Sequence, residues 1–419
     1  MYGKMKMKKY NQLIGATGLG SALGSGIIVG LSVTITLWQS GMRLTDGQVG
    51  ILSGVMTFAI AAGSLLAGNL SKMFGMFRLY NYINIFYALG AVLCAFSGNF
   101  AMLFAGLVLC GFASGADLPI SLTVLSYDAP DEATAARLIA IVQVFWQAGA
   151  FACTIMGFLV SRMKGTLGAR VVFGMLAVVA VTAFLWRVCS GKVREFHAQG
   201  KKYQQEEGNS DAKEISFLQL FKGSNRRKYG LFFVCIIIYY CGWNLLSNTF
   251  GQFQTYILVK ADASQFFATG IGIVLSVVGL FGGMLFTKIA GSSQRNKYFY
   301  IGIIVQAAAM FGIAIGGGSI VMMVIMIACY NMGTPFAGET MYKVWTQESF
   351  PMEARASVQG FINGFSRFLC GVFALITPML VTAERIQSTM YGFSGLIIIS
   401  AIAGSVVIHL QKKYGVVKM

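Results

Sequence analysis

From Leu13 to Leu410 the chain is a succession of apolar runs, most of them about 20 residues long, separated by short polar segments. This feature constrains the fold more than any other. A run placed in hydrocarbon must satisfy its own backbone N–H and C=O groups, which only helices and closed β-barrels can do. The runs are unbroken rather than alternating in ten-residue units, so they read as helices. Spans are expected near 12–38, 47–70, 79–97, 100–126, 137–160 and 168–188, then near 229–258, 264–287, 298–316, 318–343, 355–380 and 388–410. Composition agrees: 56% of residues are hydrophobic and only 11% charged, against the roughly 25% charge a soluble surface requires. The expected fold is an all-α polytopic membrane protein of twelve transmembrane helices.

The polar stretch Gly191–Lys228 contains no run able to cross a bilayer. It divides the chain into residues 1–190, a linker at 191–228, and residues 229–419, six spans in each half. Lys and Arg number 32 against 15 Asp and Glu, a formal charge of +17. In a soluble chain that balance would suggest nucleic acid; here the cations sit between spans and read as topology signals. With both termini on one side, 25 of them fall on that side and six on the other, while Arg367 alone lies inside a span. Cytoplasmic termini are expected, and no nucleic-acid partner.

The eight cysteines lie in or beside spans without metal-ligand spacing and read as small packing residues. His197, in the polar linker, and His409, near the end of the last span, are weak site candidates. Lys4, Lys6, Lys8 and Lys9 resemble a signal-peptide start, but Leu13–Trp38 is too long for its apolar region and reads as a retained first helix. No metal cluster, nucleophile–base set or nucleotide loop points to an enzyme. A sensor without transport remains an alternative, although the linker is short for an output domain.

The two halves echo each other. Span four carries Asp117 and Pro119 and leads through Asp128 to Arg137; span ten carries Pro335 and Glu339 and leads through Glu348 to Arg355. At the inner end of the fourth helix of each half an acid, a proline and an arginine stand in the same order: Asp128, Pro130 and Arg137 in one, Glu348, Pro351 and Arg355 in the other. That is the mark of a parallel repeat, with substrate expected at the repeat interface. Asp128, Arg137, Glu348 and Arg355 are expected to form gating charge clusters. At these residues the chain resembles the major facilitator superfamily. The stretch from Glu348 to Arg355, E-S-F-P-M-E-A-R, is similar to a signature of its sugar-porter-like members, and Val344–Gly360 resembles bacterial inositol and sugar porters most. The family's loop 2–3 motif is half kept, with Gly68 and Gly75 present and Lys72 at the usual acidic position. Span one lacks the acid often found in proton-coupled sugar porters.

Asn244, Asn248 and Gln252 on span seven are four apart, an amide stripe on one helix face with Tyr240 and Trp243 beside it. Amides donate and accept, and aromatic faces pack on sugar rings, so the stripe suits a polyol cavity; interhelical bonding is the plain alternative. Gln143 and Gln147 with Trp146 form a second stripe on span five. Asn363 and Arg367 lie on span eleven, Arg367 roughly 18 Å beyond Arg355. A guanidinium at that depth costs roughly 2.5–3.5 kcal/mol and needs a partner or water. It is expected either to pair with Asp117 or Glu339 or to clamp an anionic or hydroxylated solute. Asp117 and Glu339, the acids well inside spans, are candidates for a coupled proton. The six glycines from Gly15 to Gly30 on span one are expected to pack where the halves rock.

The expected function is secondary or facilitative transport of a small polar solute, a sugar or cyclitol, by alternating access. A sugar acid or other organic anion held by Arg367 is the alternative. No cofactor is expected beyond H+ or Na+ as a coupling ion. The protein is expected to act as a monomer in a bacterial inner membrane.

Overall fold

A computed structural model describes residues 9–130, 132–206, 220–222, 225–289, 294–316, 319–382 and 384–416. Among these residues every regular element is an α-helix, and the chain divides into two compact units, residues 1–210 and 211–419. The first contains α1 (Asn11–Met42), α2 (Asp46–Phe74), α3 (Met76–Ala95), α4 (Phe100–Asp128), α5 (Glu132–Val160), α6 (Leu167–Cys189) and α7 (Gly191–Glu206). The second contains α8 (Arg226–Lys260), α9 (Gln265–Ile289), α10 (Arg295–Ile315), α11 (Ile320–Gly333), α12 (Glu339–Ser349), α13 (Met352–Leu380) and α14 (Ile386–Lys413).

Nine of these helices are long and apolar enough to cross a membrane, and shorter apolar helical stretches cover Val144–Val160 in α5 and Ile320–Gly333. α3 completes the set; Arg78, Asn81 and Asn84 dilute its hydropathy, yet Tyr80, Asn84 and Tyr87 are buried inside the first unit. Local chemistry sets the helix ends. Thr45 and Gln48 form a reciprocal capping box at the start of α2, and Asn99 and Ser319 accept backbone N–H bonds at the starts of α4 and α11. Gly75, one of the two motif glycines, turns α2 into α3 at φ 85°, a conformation that favours glycine.

The tenth pass is two helices rather than one. It breaks between α11 and α12 at residues 334–338, where Pro335 has no N–H to give. Side chains take up the freed carbonyls: Gln306 of α10 donates to Ala337 O (3.1 Å), and Tyr239 of α8 donates to Gly338 O (3.2 Å). Irregular backbone inside a pass needs such partners because lipid provides none.

The glycine face of α1 packs within its own half. Gly15 lies under Trp186, Gly18 under Phe145, Gly24 under Trp146, and Gly26 and Gly30 against Leu176. Small residues here let α5 and α6 approach closely.

The linker also begins differently from the polar loop its composition suggests. α7 turns Val193, Phe196 and His197 inward at helical spacing and leaves Lys192, Arg194 and Glu195 exposed. Phe196 joins Tyr10, Leu125, Leu138 and Val142 in one apolar cluster and stacks on Tyr10 at 5.2 Å. His197 Nδ1 meets Asp128 Oδ2 at 2.7 Å, with its ring 4.3 Å from Phe77. Both side chains are nearly sealed from solvent. His197→Ala leaves a buried carboxylate without this partner and is expected to lower stability by about 1–3 kcal/mol. A fall in the thermal midpoint of the detergent-purified protein, with earlier proteolytic cleavage in α7, checks it. An unchanged midpoint would mean that the apolar cluster alone holds the helix.

Candidate functional site

In the N-terminal half the chemistry centres on Asp117 of α4. Its partner is Arg187 of α6, not Arg367. Arg187 Nη1 lies 2.5 Å from Asp117 Oδ1 and Nη2 3.0 Å from Oδ2, with the two side chains 0% and 3% exposed. The remaining donors are engaged too. Nε bonds Ala16 O at 3.1 Å, Nη1 bonds Tyr80 O at 2.9 Å, and Nη2 reaches Ser121 Oγ at 3.3 Å. The guanidinium sits 4.0 Å over the Tyr80 ring, whose hydroxyl meets Thr17 Oγ1 at 2.8 Å. Gly20 of α1 closes the site, since a Cβ there would collide with both Asp117 and Arg187. Four helices, α1, α3, α4 and α6, therefore meet on one ion pair, which is shaped for structure rather than for a mobile ligand.

Of the span-five residues, Trp146 is half-buried over Gly24, and its carbonyl accepts from Ser25 Oγ at 2.5 Å. Gln147 is exposed, and the side chain of Gln143 lies outside the described set. The side chains of Arg137 and Arg355 lie outside it as well. Their expected acidic partners have other contacts. Asp128 bonds His197, while Glu348 takes a two-pronged pair from Arg295 (2.9 and 2.9 Å) and a bond from Gln411 (3.0 Å).

The C-terminal half gathers the other candidates around α8, α12 and α13. Tyr240 stacks on Tyr342 with centroids 3.9 Å apart and on Trp243 at 5.9 Å, and its hydroxyl donates to Asn363 Oδ1 at 3.4 Å. Asn244 Nδ2 donates to Ser366 Oγ at 2.7 Å, and Gln252 Nε2 to Asn248 Oδ1 at 3.1 Å. Tyr240, Trp243 and Gln252 are buried, whereas Asn244, Asn248 and Asn363 are partly open. The buried Trp243 Nε1 has no hydrogen-bond partner among the described residues. The amide stripe thus ties α8 to α13 while leaving amide groups within reach of a solute.

Glu339 opens α12 and pairs with Lys343 one turn on, at 3.0 Å, with the two side chains 51% and 45% exposed. Arg367 is half-buried midway along α13. No acid among the described residues lies within ion-pair distance of it. No group of three or more His, Cys, Asp or Glu among the described residues could hold a metal.

Sequence reading missed Arg187, which stands at the end of span six one turn from the linker cations. It also missed Tyr342, Ser366 and the linker's His197. The signal for Arg187 was Asp117 itself, an acid too deep in α4 to stand without a cation. Arg187→Ala strands that carboxylate and is expected to cost about 3–5 kcal/mol. The joint change Asp117→Leu with Arg187→Met should recover most of the loss, as read by thermal unfolding. A double variant no more stable than the single would assign the pair a role beyond packing.

Residues 14–375 match the Major Facilitator Superfamily. The chain is 29% identical over 413 residues to the minor myo-inositol transporter IolF of Bacillus subtilis, covering 96% of this chain and 90% of that one. It is 22% identical to the niacin transporter NiaP of Acinetobacter baylyi, covering 97% and 95%. Among solved structures it superposes on a D-xylose–proton symporter with TM-score 0.76 at 13% identity, covering 93% of this chain and 96% of that one. The superposition speaks to the fold and the family match to the chemistry: a multi-pass bundle built for solute transport, not an enzyme. With the match running from α1 into α13, the chain belongs to the Major Facilitator Superfamily of membrane transporters.

Proposed function

We propose that this transporter moves a small polyhydroxylated ring solute, a cyclitol or sugar, by alternating access. The proposed setting is a bacterial inner membrane, with the protein monomeric and both termini in the cytoplasm. The observation that carries the reading is the constellation on α8 and α13. Asn244, Asn248 and Asn363 present amides beside the stacked rings of Tyr240, Trp243 and Tyr342. A ring polyol presents alternating donors and acceptors around its rim and C–H groups on its faces. Amides answer the rim and aromatic rings the faces. The likeness to an inositol transporter over nearly the whole chain supports the same solute class.

In proteoliposomes loaded with unlabelled myo-inositol, labelled myo-inositol is expected to accumulate by counterflow. Asn244→Ala and Asn363→Ala each remove an amide and are expected to weaken apparent affinity about tenfold, the equivalent of about 1.4 kcal/mol. If no ring polyol exchanges through folded protein, the reading fails.

Coupling to H+ or Na+ is part of the proposal and falls to Glu339, because Asp117 is sealed against Arg187. Glu339→Gln is expected to keep counterflow but lose the added uptake that an imposed proton or sodium gradient drives. Undiminished gradient-driven uptake in that variant would remove Glu339 from coupling.

A further inference from the structure

The tenth and eleventh passes of the C-terminal half carry three charged side chains: Glu339 and Lys343 on α12, which form a half-exposed pair, and Arg367 on α13. The pair cancels, so the charge left over is the +1 of Arg367. The contrast with the other buried arginine is direct. Arg187 has a carboxylate, two backbone carbonyls, a hydroxyl and an aromatic face around it. Arg367, midway along a 29-residue helix, has no acid at ion-pair distance among the described residues. It shares a helix face with Asn363 one turn earlier and follows Ser366, which accepts from Asn244. The charge of Arg367 therefore belongs to the face of α13 that carries Asn363, whose Oδ1 accepts from Tyr240.

We propose that the solute is a ring polyol bearing one carboxylate, a sugar acid, with the carboxylate on Arg367 and the hydroxyls on the amides. This rests on the ring-polyol reading above. A guanidinium binds a carboxylate through two parallel N–H bonds, which fixes orientation as well as charge. A single negative charge neutralises the local +1. A phosphate ester, carrying about −1.5 to −2 at neutral pH, would leave negative charge in the pass.

The test is calorimetric titration of the purified full-length protein with D-glucuronate, D-glucose and myo-inositol, with thermal midpoints confirming that each variant is folded. Glucuronate is expected to bind at least about tenfold tighter than glucose, its neutral counterpart, with the preference shrinking as salt is raised. Arg367→Gln should collapse that ratio to about one, and Arg367→Lys should retain part of it. Glucose or myo-inositol binding as tightly as glucuronate to the unaltered protein overturns the sugar-acid assignment and leaves the ring-polyol reading in place. A glucuronate preference that survives in Arg367→Gln overturns the role of Arg367. If none of the three binds, both this inference and the reading beneath it fall.

Discussion

A charge enclosed among helices in hydrocarbon has no water to turn to, so the protein must build its counter-charge into the fold. In the N-terminal half that requirement organises everything else. Asp117 stands deep in α4, and Arg187 reaches it from the last turn of α6 at 2.5 Å. Closing the pair against solvent needs α3 to supply the Tyr80 ring and α1 to pass close enough that position 20 has no room for a side chain. Breaking one partner strands the other, which is why the cost falls on the whole helix set and not on a single contact. The glycines along the rest of α1 serve the same end, drawing Trp186, Phe145 and Trp146 onto its backbone.

The C-terminal half spends its polar groups differently. Its tenth pass is interrupted, and the carbonyls freed at Ala337 and Gly338 are met by Gln306 and Tyr239. The interruption creates a helix N-terminus within the pass, where an acidic residue is favoured by the helix dipole; Glu339 occupies it. Its pairing with Lys343 is open to solvent where the Asp117 pair is closed. The aromatic stack of Trp243, Tyr240 and Tyr342 gives this region a firm wall without filling it with charge. Around α8, α12 and α13 polar groups are partly open, whereas Asp117 and Arg187 are closed against each other.

The class of fold was legible because hydrocarbon permits so few solutions; runs of the right length had to be helices. The α8 stripe was legible for the same kind of reason, since amides four residues apart share a face in any helix. What escaped was anything decided by three-dimensional partnership. Arg187 and Arg367 look alike in sequence, each an arginine among apolar helix residues, and only packing separates the one with five hydrogen bonds from the one with no ion pair among the described residues. His197 was hidden by its polar neighbours, although Val193, Phe196 and His197 already had the spacing of a buried helix face. The break before Glu339 was marked by Pro335, but a proline alone does not say whether a pass kinks or stops.

The repeat between halves is kept in function of position and not in identity of partner. Asp128 ends α4 and Glu348 lies near the end of α12, equivalent places in the two halves. Each carboxylate is engaged by a cation or imidazole from beyond its own helix: His197 of α7 in one half, Arg295 of α10 with Gln411 of α14 in the other. The Glu348 contact is made by helices of the six-pass set, whereas the Asp128 contact is made by a helix that the linker supplies. The first half therefore depends, at this one point, on chain that belongs to neither set of six passes, and the linker is part of its fold.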